Sequence, residues 1–300
     1  MTRLFAIPHR YDLGRSLSVL GLGRSDPTAR VSGREAWWTT LTPVGAATLL
    51  LRRVDDARLS ASAYGPGADW VLDRAEEIAG LRDDVAGFGD LARAHPLVYR
   101  LSREHSGLRM PATGRVFQAL LPTIIGQKVT GVEAKRSMRS IVCRFGERAP
   151  GPVDDLYAPP DPRRLAETPY YELHRHGLEQ KRADTIRRAA AEADRLDTAP
   201  DSTTATRWLT AIAGIGPWSA AEVTRVAYGD PDQVSVGDYH IPNQVAWALA
   251  GEPRGTDERM LELLAPFAGH RGRVCLLLAA AGIGAPRFGP RMPVRSFAKF

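Results

Sequence analysis

The stretch LTAIAGIGPWSA, Leu209 to Ala220, constrains this chain more than any other. Leu209 and Ile212 have helical spacing before a Gly214-Ile215-Gly216 turn. Pro217 then stands where a helix tolerates proline, in its first turn, and Gly229 follows the last apolar residue as a stop. The pattern predicts two helices joined by a tight glycine hairpin. The second helix would begin at Trp218-Ser219-Ala220, with its free N–H groups and positive dipole end facing outward. Glycines at 214 and 216 would let a phosphate approach the backbone, a grip that reads no sequence. A lone carboxylate, Asp238 in VSVGDYH, lies a short way downstream. It can cap the helix in YHIPNQVAWALA, and a carboxylate held at a helix N-terminus is also kept rigid and ionised.

The rest of the chain falls into two compositional zones. Residues 1–93 contain short runs rich in Thr, Val, Trp and Leu (TARVSGREAWWTTLT, GAATLLLRRV, RLSASAYG), broken by Gly and Pro. They predict an antiparallel β domain followed by a helix near DWVLDRAEEIAGL. Residues 94–300 are helical in pattern nearly throughout. Leu121, Ile125, Val129, Val132, Ile141, Val142 and Phe145 mark one apolar face, and Lys128, Lys135, Arg136, Arg139 and Arg144 the opposite one. GPVDDLYAPPDPRRLAETP is a proline-rich connection between helices. Ser202 or Thr203 is expected to cap the helix before the hairpin. The expected class is therefore α+β: an antiparallel sheet domain, then a two-lobed all-helical domain with the hairpin at 209–228 and a functional loop at 234–241.

Charge adds one local feature. The formal net charge is +6, and from Arg271 to Phe300 there are six Arg or Lys and no Asp or Glu, so residues 1–270 sum to zero. The excess positive charge, including Arg287, Arg291, Arg295 and Lys299, is a C-terminal tail at 286–300, either solvated or in contact with phosphate. The two cysteines, Cys143 and Cys275, lie in apolar helical patterns and are expected to be buried thiols. Two cysteines cannot supply a four-thiolate iron–sulfur site. His174 and His176 form a His-x-His without a third ligand, so no metal site is expected. No secretory h-region precedes the first strand, and the longest apolar run, VCLLLAAAGIGA, is too short to span a bilayer. A cytoplasmic, nucleoid-associated protein with no membrane partner is the expectation.

Together, LTAIAGIGPWSAAEV and VSVGDYHI resemble the core of the helix-hairpin-helix DNA glycosylases, most of all the 3-methyladenine DNA glycosylase II (AlkA-like) branch. FQALLPTIIGQKVTGVEAKRS is similar to the helix of that family carrying Ile-x-Gly-Gln, here Ile125, Gly126 and Gln127. HGLEQKRADTI is similar to its segment with Gly177, Lys181 and Ala183, and YDLGRSLSVLGLG with the following strands resembles its extra β domain. The resemblance implies a monofunctional glycosylase of base excision repair. Such an enzyme extrudes an alkylated purine from duplex DNA and hydrolyses its N-glycosidic bond, leaving an abasic site. Asp238 matches the catalytic aspartate that stabilises charge on the deoxyribose or orients water. Trp218 stands where bifunctional relatives carry a nucleophilic lysine, so a Schiff base is not expected. Trp218 and Tyr239 would line the base pocket, since aromatic faces attract a cationic ring.

Gly214, Ile215, Gly216 and Ser219 would hold the DNA backbone, and Gln127 with Lys128 would fill the gap left by the flipped base. No cofactor is expected beyond a monovalent cation at the hairpin carbonyls, and the expected partner of a monomer is double-stranded DNA containing damaged bases. The sequence departs from the pattern at four places. Ala213 replaces a proline, Lys128 an apolar wedge, Glu222 an aromatic one turn after Trp218, and His270, in AGHRGR, a pocket tryptophan. Glu222 and His270 make the expected pocket more polar and leave open deaminated or oxidised bases as substrates. A DNA-damage-binding protein without catalysis is the other alternative.

Overall fold

The computed structural model describes residues 2–286, so the calls on Arg287, Arg291, Arg295 and Lys299 of the basic tail lie outside the described residues. Five strands form one antiparallel sheet: β1 (Thr2–Ala6), β2 (Ala29–Val31), β3 (Glu35–Thr42), β4 (Gly45–Arg53) and β5 (Arg58–Tyr64), in the order β1-β5-β4-β3-β2. The central position of β4 explains its composition. It is buried without interruption from Ala47 to Leu51, because both of its faces are covered. Trp38, opposite Leu49 in the β3–β4 register, packs with Leu49, Leu51, Leu59, Val71 and Ile78. The helix expected near DWVLDRAEEIAGL is two short ones, Ala68–Asp73 and Ala75–Ile78, broken at Arg74.

The helical part has two apolar clusters and so two lobes. The first lobe is built from α2 (Val116–Ile125), α3 (Gly131–Phe145), α4 (Gln180–Ala191), α5 (Ser202–Thr210) and α6 (Pro217–Ala227), around Leu120, Leu121, Ile124, Ile141, Ile186 and Leu209. The second joins α1 (Pro96–Glu104) to α7 (Ile241–Ala250), α8 (Asp257–Leu264) and α9 (Arg271–Ala280), around Val98, Leu101, Val245, Met260, Leu264 and Val274. Phe88 and Ala92 already belong to this second cluster, so packing changes partner between Leu81 and Phe88. The chain thus passes through the second lobe, builds the first, and returns.

Several local expectations change in three dimensions. Asp201, not Ser202 or Thr203, caps α5, its carboxylate accepting the Thr204 N–H at 2.7 Å. Capping thus starts one residue earlier than expected, and the N3 donor satisfied is Thr204. Val132 is 57% exposed rather than on the apolar face of α3. It sits in the first turn, where Thr130 and Glu133 form a capping box instead. Cys143 is exposed, so the expectation of a buried thiol fails there. The proline-rich connection contains a short helix, Pro162–Glu167, capped by Asp161.

The sheet domain docks on the first lobe through directional bonds. Gln118 of α2 donates to the Thr39 carbonyl at 2.8 Å and accepts from the Thr40 hydroxyl at 2.7 Å. The Thr39 hydroxyl donates to the Tyr157 carbonyl at 2.6 Å. These bonds satisfy polar groups buried between the domain and the lobe, where an unpaired group would cost about 1–3 kcal/mol.

Candidate active site

The hairpin is set by packing as much as by its glycines. Ile215 is buried in the same cluster as Leu209, so any contact it makes with a ligand is through its backbone. Gly214 has φ +99°, and a Cβ there would lie 2.3 Å from the Thr185 hydroxyl oxygen. Gly216 is extended and a Cβ would meet nothing. Nothing in the fold therefore excludes a side chain at 216. We expect Gly214→Ala to lower stability by about 1–3 kcal/mol through strain and crowding. Gly216→Ala should leave the melting temperature unchanged and weaken duplex binding. Melting curves and DNA titrations on the two variants check this contrast.

Two side chains brace the turn, one from a neighbouring helix and one from the turn between α2 and α3. Arg188 of α4 donates to the Ala213 carbonyl from Nη2 at 3.1 Å, and Gln127 donates from Nε2 to the Gly214 carbonyl at 3.1 Å and to the Ser219 hydroxyl at 3.0 Å. Gln127 thus faces the hairpin, and only its neighbour Lys128 is free to project. Lys128 is exposed and held at φ +57°, a left-handed conformation rare outside glycine and concentrated at functional loops. The carbonyl face of the turn fits a monovalent cation poorly. The Arg188 guanidinium already supplies a fixed positive charge at Ala213.

Asp238 lies across the cleft in the second lobe, at the start of α7. One carboxylate oxygen accepts the backbone N–H groups of His240 at 2.7 Å and Ile241 at 2.9 Å. The other accepts the indole N–H of Trp218 at 2.9 Å. Trp218 belongs to the first lobe, so this bond spans the two lobes and fixes the carboxylate beside the hairpin helix. A second bond, from the Ser235 hydroxyl to Glu222 at 2.5 Å, crosses the same cleft.

Trp218 and Glu222 line a cavity of about 340 Å³ between the sheet domain and the first lobe. The structure does not bring the other two expected pocket residues to it. Tyr239 is 83% exposed, its ring edge-on to His240 with centroids 4.9 Å apart. His270 precedes α9 and packs on Phe88 at 5.1 Å, its Nδ1 accepting from Arg273 at 3.1 Å. Burial, then the Arg273 charge, lowers its pKa. Cys275 of α9 is partly rather than fully buried, and burial pushes its thiol up to about 12. His174 and His176 have separate partners, Leu178 and Ser140. Among the described residues no group of three His, Cys, Asp or Glu converges on a metal position.

Four contributors were not anticipated: Thr185 and Arg188, which shape the hairpin, and Arg225 and Ser235, which bind Glu222. Only the Glu222–Arg225 spacing of three on a helix could have been read from sequence. The others depend on how α4 and the 234–241 loop pack.

No protein-family model matches this sequence, and no curated protein matches it. Solved structures do match. A 3-methyladenine DNA glycosylase from Archaeoglobus fulgidus superposes with a TM-score of 0.80 over 93% of this chain and 98% of its own, at 18% identity. At that identity the likeness shows a shared fold. An 8-oxoguanine glycosylase/lyase from Clostridium acetobutylicum, in its apo form, gives 0.71 over 93% and 95% at 12% identity. A 3-methyladenine DNA glycosylase from Schizosaccharomyces pombe, in complex with abasic DNA, gives 0.50 over 64% and 95% at 16% identity. The glycosylase fold thus spans nearly the whole described chain, sheet domain included. Among the described residues, no helix is long and apolar enough to cross a membrane.

Proposed function

We propose that this chain is a monofunctional DNA glycosylase, which extrudes a damaged base from duplex DNA and hydrolyses its N-glycosidic bond. The observation that carries the reading is the Asp238 carboxylate, oriented by two backbone N–H groups and one indole N–H, beside a glycine hairpin suited to a phosphate. In this reading the N–H groups at the start of α6 and the backbone of Gly214–Gly216 grip one strand without reading its sequence. Lys128 enters the space vacated by the flipped nucleotide, while Gln127 holds loop and hairpin in register. The base enters the cavity beside Trp218. As the glycosidic bond lengthens, positive charge spreads over the sugar, and Asp238 stabilises it and directs water to C1′. The electron pair of the broken bond leaves with the base.

The first turn of α6 carries an indole rather than an amine, so no covalent sugar–enzyme imine forms by that route. Incubation with lesion-bearing duplex should yield alkali-labile abasic sites, with no strand break before alkali and no borohydride-trapped adduct. A trapped adduct would overturn the monofunctional assignment. No abasic product from a panel of lesions would favour damage binding without catalysis.

Trp218 on the cavity wall supports alkylated purines, whose cationic rings are attracted to aromatic faces and already leave readily. A second reading, deaminated or oxidised bases, is favoured by the Glu222–Arg225 pair on the same wall.

A further inference from the structure

Packing does little to hold the two neighbours of Asp238. A Cβ at Gly237 would meet nothing within 4 Å, and Tyr239 is 83% exposed. Directional bonds hold this stretch instead. The Asp238 N–H donates to the Ser235 carbonyl at 3.2 Å, and Gly237 has φ +87° after a Val236 of negative φ. That is the pattern of a type II turn with glycine at its third position. The turn's own bond leaves the Gly237 N–H unused. Asp257, the first residue of α8, accepts it with its two carboxylate oxygens at 3.1 and 3.0 Å. A second strap runs beside this one. Asn243 of α7 donates from Nδ2 to the Tyr239 carbonyl at 3.2 Å and accepts the Gly255 N–H at 3.0 Å. Gly255 lies so close to α7 that a Cβ would be 2.7 Å from the Pro242 carbonyl oxygen. The connection from α7 to α8 is thus fixed against α7, and it ties down the residues on both sides of Asp238.

We infer that Asp257 is a positioning residue for base release, holding the turn so that the Asp238 carboxylate keeps its aim at the sugar. This rests on the glycosylase reading above. In this role Asp257 touches no substrate and acts only through the Gly237 N–H. A carboxylate accepts an N–H more strongly than a neutral oxygen does. Type I and type II turns differ by rotation of their central peptide, here Val236–Gly237, and that rotation would turn the N–H away from Asp257. Without the bond the turn is free to shift, and a reacting group displaced by about 1 Å can lose on the order of 100-fold in rate. The glycine hairpin belongs to the other lobe, so its hold on the duplex is unaffected.

The test uses the full chain and duplexes carrying methylated purines, hypoxanthine, uracil or 8-oxoguanine, continuing with the one that wild type turns over fastest. Asp257→Ala should slow single-turnover release at saturating enzyme about 10-fold and leave the dissociation constant for the duplex unchanged. Asp257→Asn keeps an acceptor oxygen, and its release should fall by no more than about threefold. In an Asp238→Asn background, Asp257→Ala should cost nothing further, because the group it aims is already gone. A residue that only stabilised α8 would lower the melting temperature and leave release well below it unchanged. If Asp257→Ala fails to fold, Gly237→Ala takes its place. It strains a positive φ without crowding any neighbour, and it too should slow release about 10-fold. Release at the wild-type rate by the alanine variant would overturn the inference. So would a matching loss of duplex binding, an undiminished loss in the Asp238→Asn background, or no recovery in Asp257→Asn. Each of these leaves the glycosylase reading standing. Release of no base from any duplex by wild type would remove both.

Discussion

Asp238→Asn is expected to lower base release by on the order of 10³-fold while the duplex is still bound, because the change removes a charge and little else. The asparagine carbonyl can keep the bonds now made by His240 and Ile241, so the start of α7 should survive. The other carboxylate oxygen faces the Trp218 indole N–H, and there an amide nitrogen would set donor against donor. That costs about 1–2 kcal/mol of stability, small against a folded domain and visible as a modest fall in melting temperature. Removing a negative charge near a phosphate-binding element leaves DNA affinity unchanged or slightly raised. The measurements are single-turnover release and a binding titration on the same duplex. Turnover close to wild type would remove Asp238 from the chemistry; loss of binding and turnover together would reassign it to structure.

Asp83→Ala should produce the largest loss of stability for one substitution in this chain. Asp83 makes a two-pronged ion pair with Arg273 at 2.5 and 2.9 Å and also accepts the Met110 N–H at 3.0 Å. The arginine side chain is 4% exposed and the aspartate 2%. The pair joins the segment after the sheet domain to α9 of the second lobe. Removing the carboxylate leaves a guanidinium buried and uncompensated, which costs about 3–5 kcal/mol. In a chain of this size that lowers the melting temperature by on the order of 10 °C. Replacing both partners together, Asp83→Leu with Arg273→Met, should recover most of the loss, because no charge is then buried alone. If the single variant melted like wild type, the pair would be a bystander. Base release well below the melting temperature should change little, since neither side chain touches the cavity wall.

Much of the architecture was legible because it follows short-range rules. The α5–turn–α6 hairpin needed only Leu209 and Ile212 at helical spacing, a glycine that takes φ +99°, and Pro217 in a first turn. Strands β2 to β5 were signalled by runs of β-branched and aromatic residues between turn formers, whereas β1 was not, and the apolar face expected from Leu121 to Phe145 is divided between α2 and α3 by the turn at 126–130. The errors came where a neighbour decided. Asp201 rather than Ser202 caps α5. Val132 stands outside the core and Cys143 faces solvent. Tyr239, adjacent in sequence to Asp238, turns outward, and His270 is held by Phe88 and Arg273 far from the role its place in the sequence suggested.

By itself, the sequence determined which residues could do chemistry: one carboxylate after a glycine, an indole in place of an amine, a hairpin with no side chains in the way. Those properties are covalent or local, and no packing can remove them. Tertiary structure decided which of them meet. The Trp218–Asp238 and Ser235–Glu222 bonds join two lobes with separate cores, and the Arg188 and Gln127 braces reach the hairpin from α4 and from the α2–α3 turn. Hydrogen bonds fix direction only within about 3 Å. Trp218, which bonds Asp238 and also lines the cavity, therefore links the carboxylate to the hairpin helix only once the long-range packing of the lobes has set their separation.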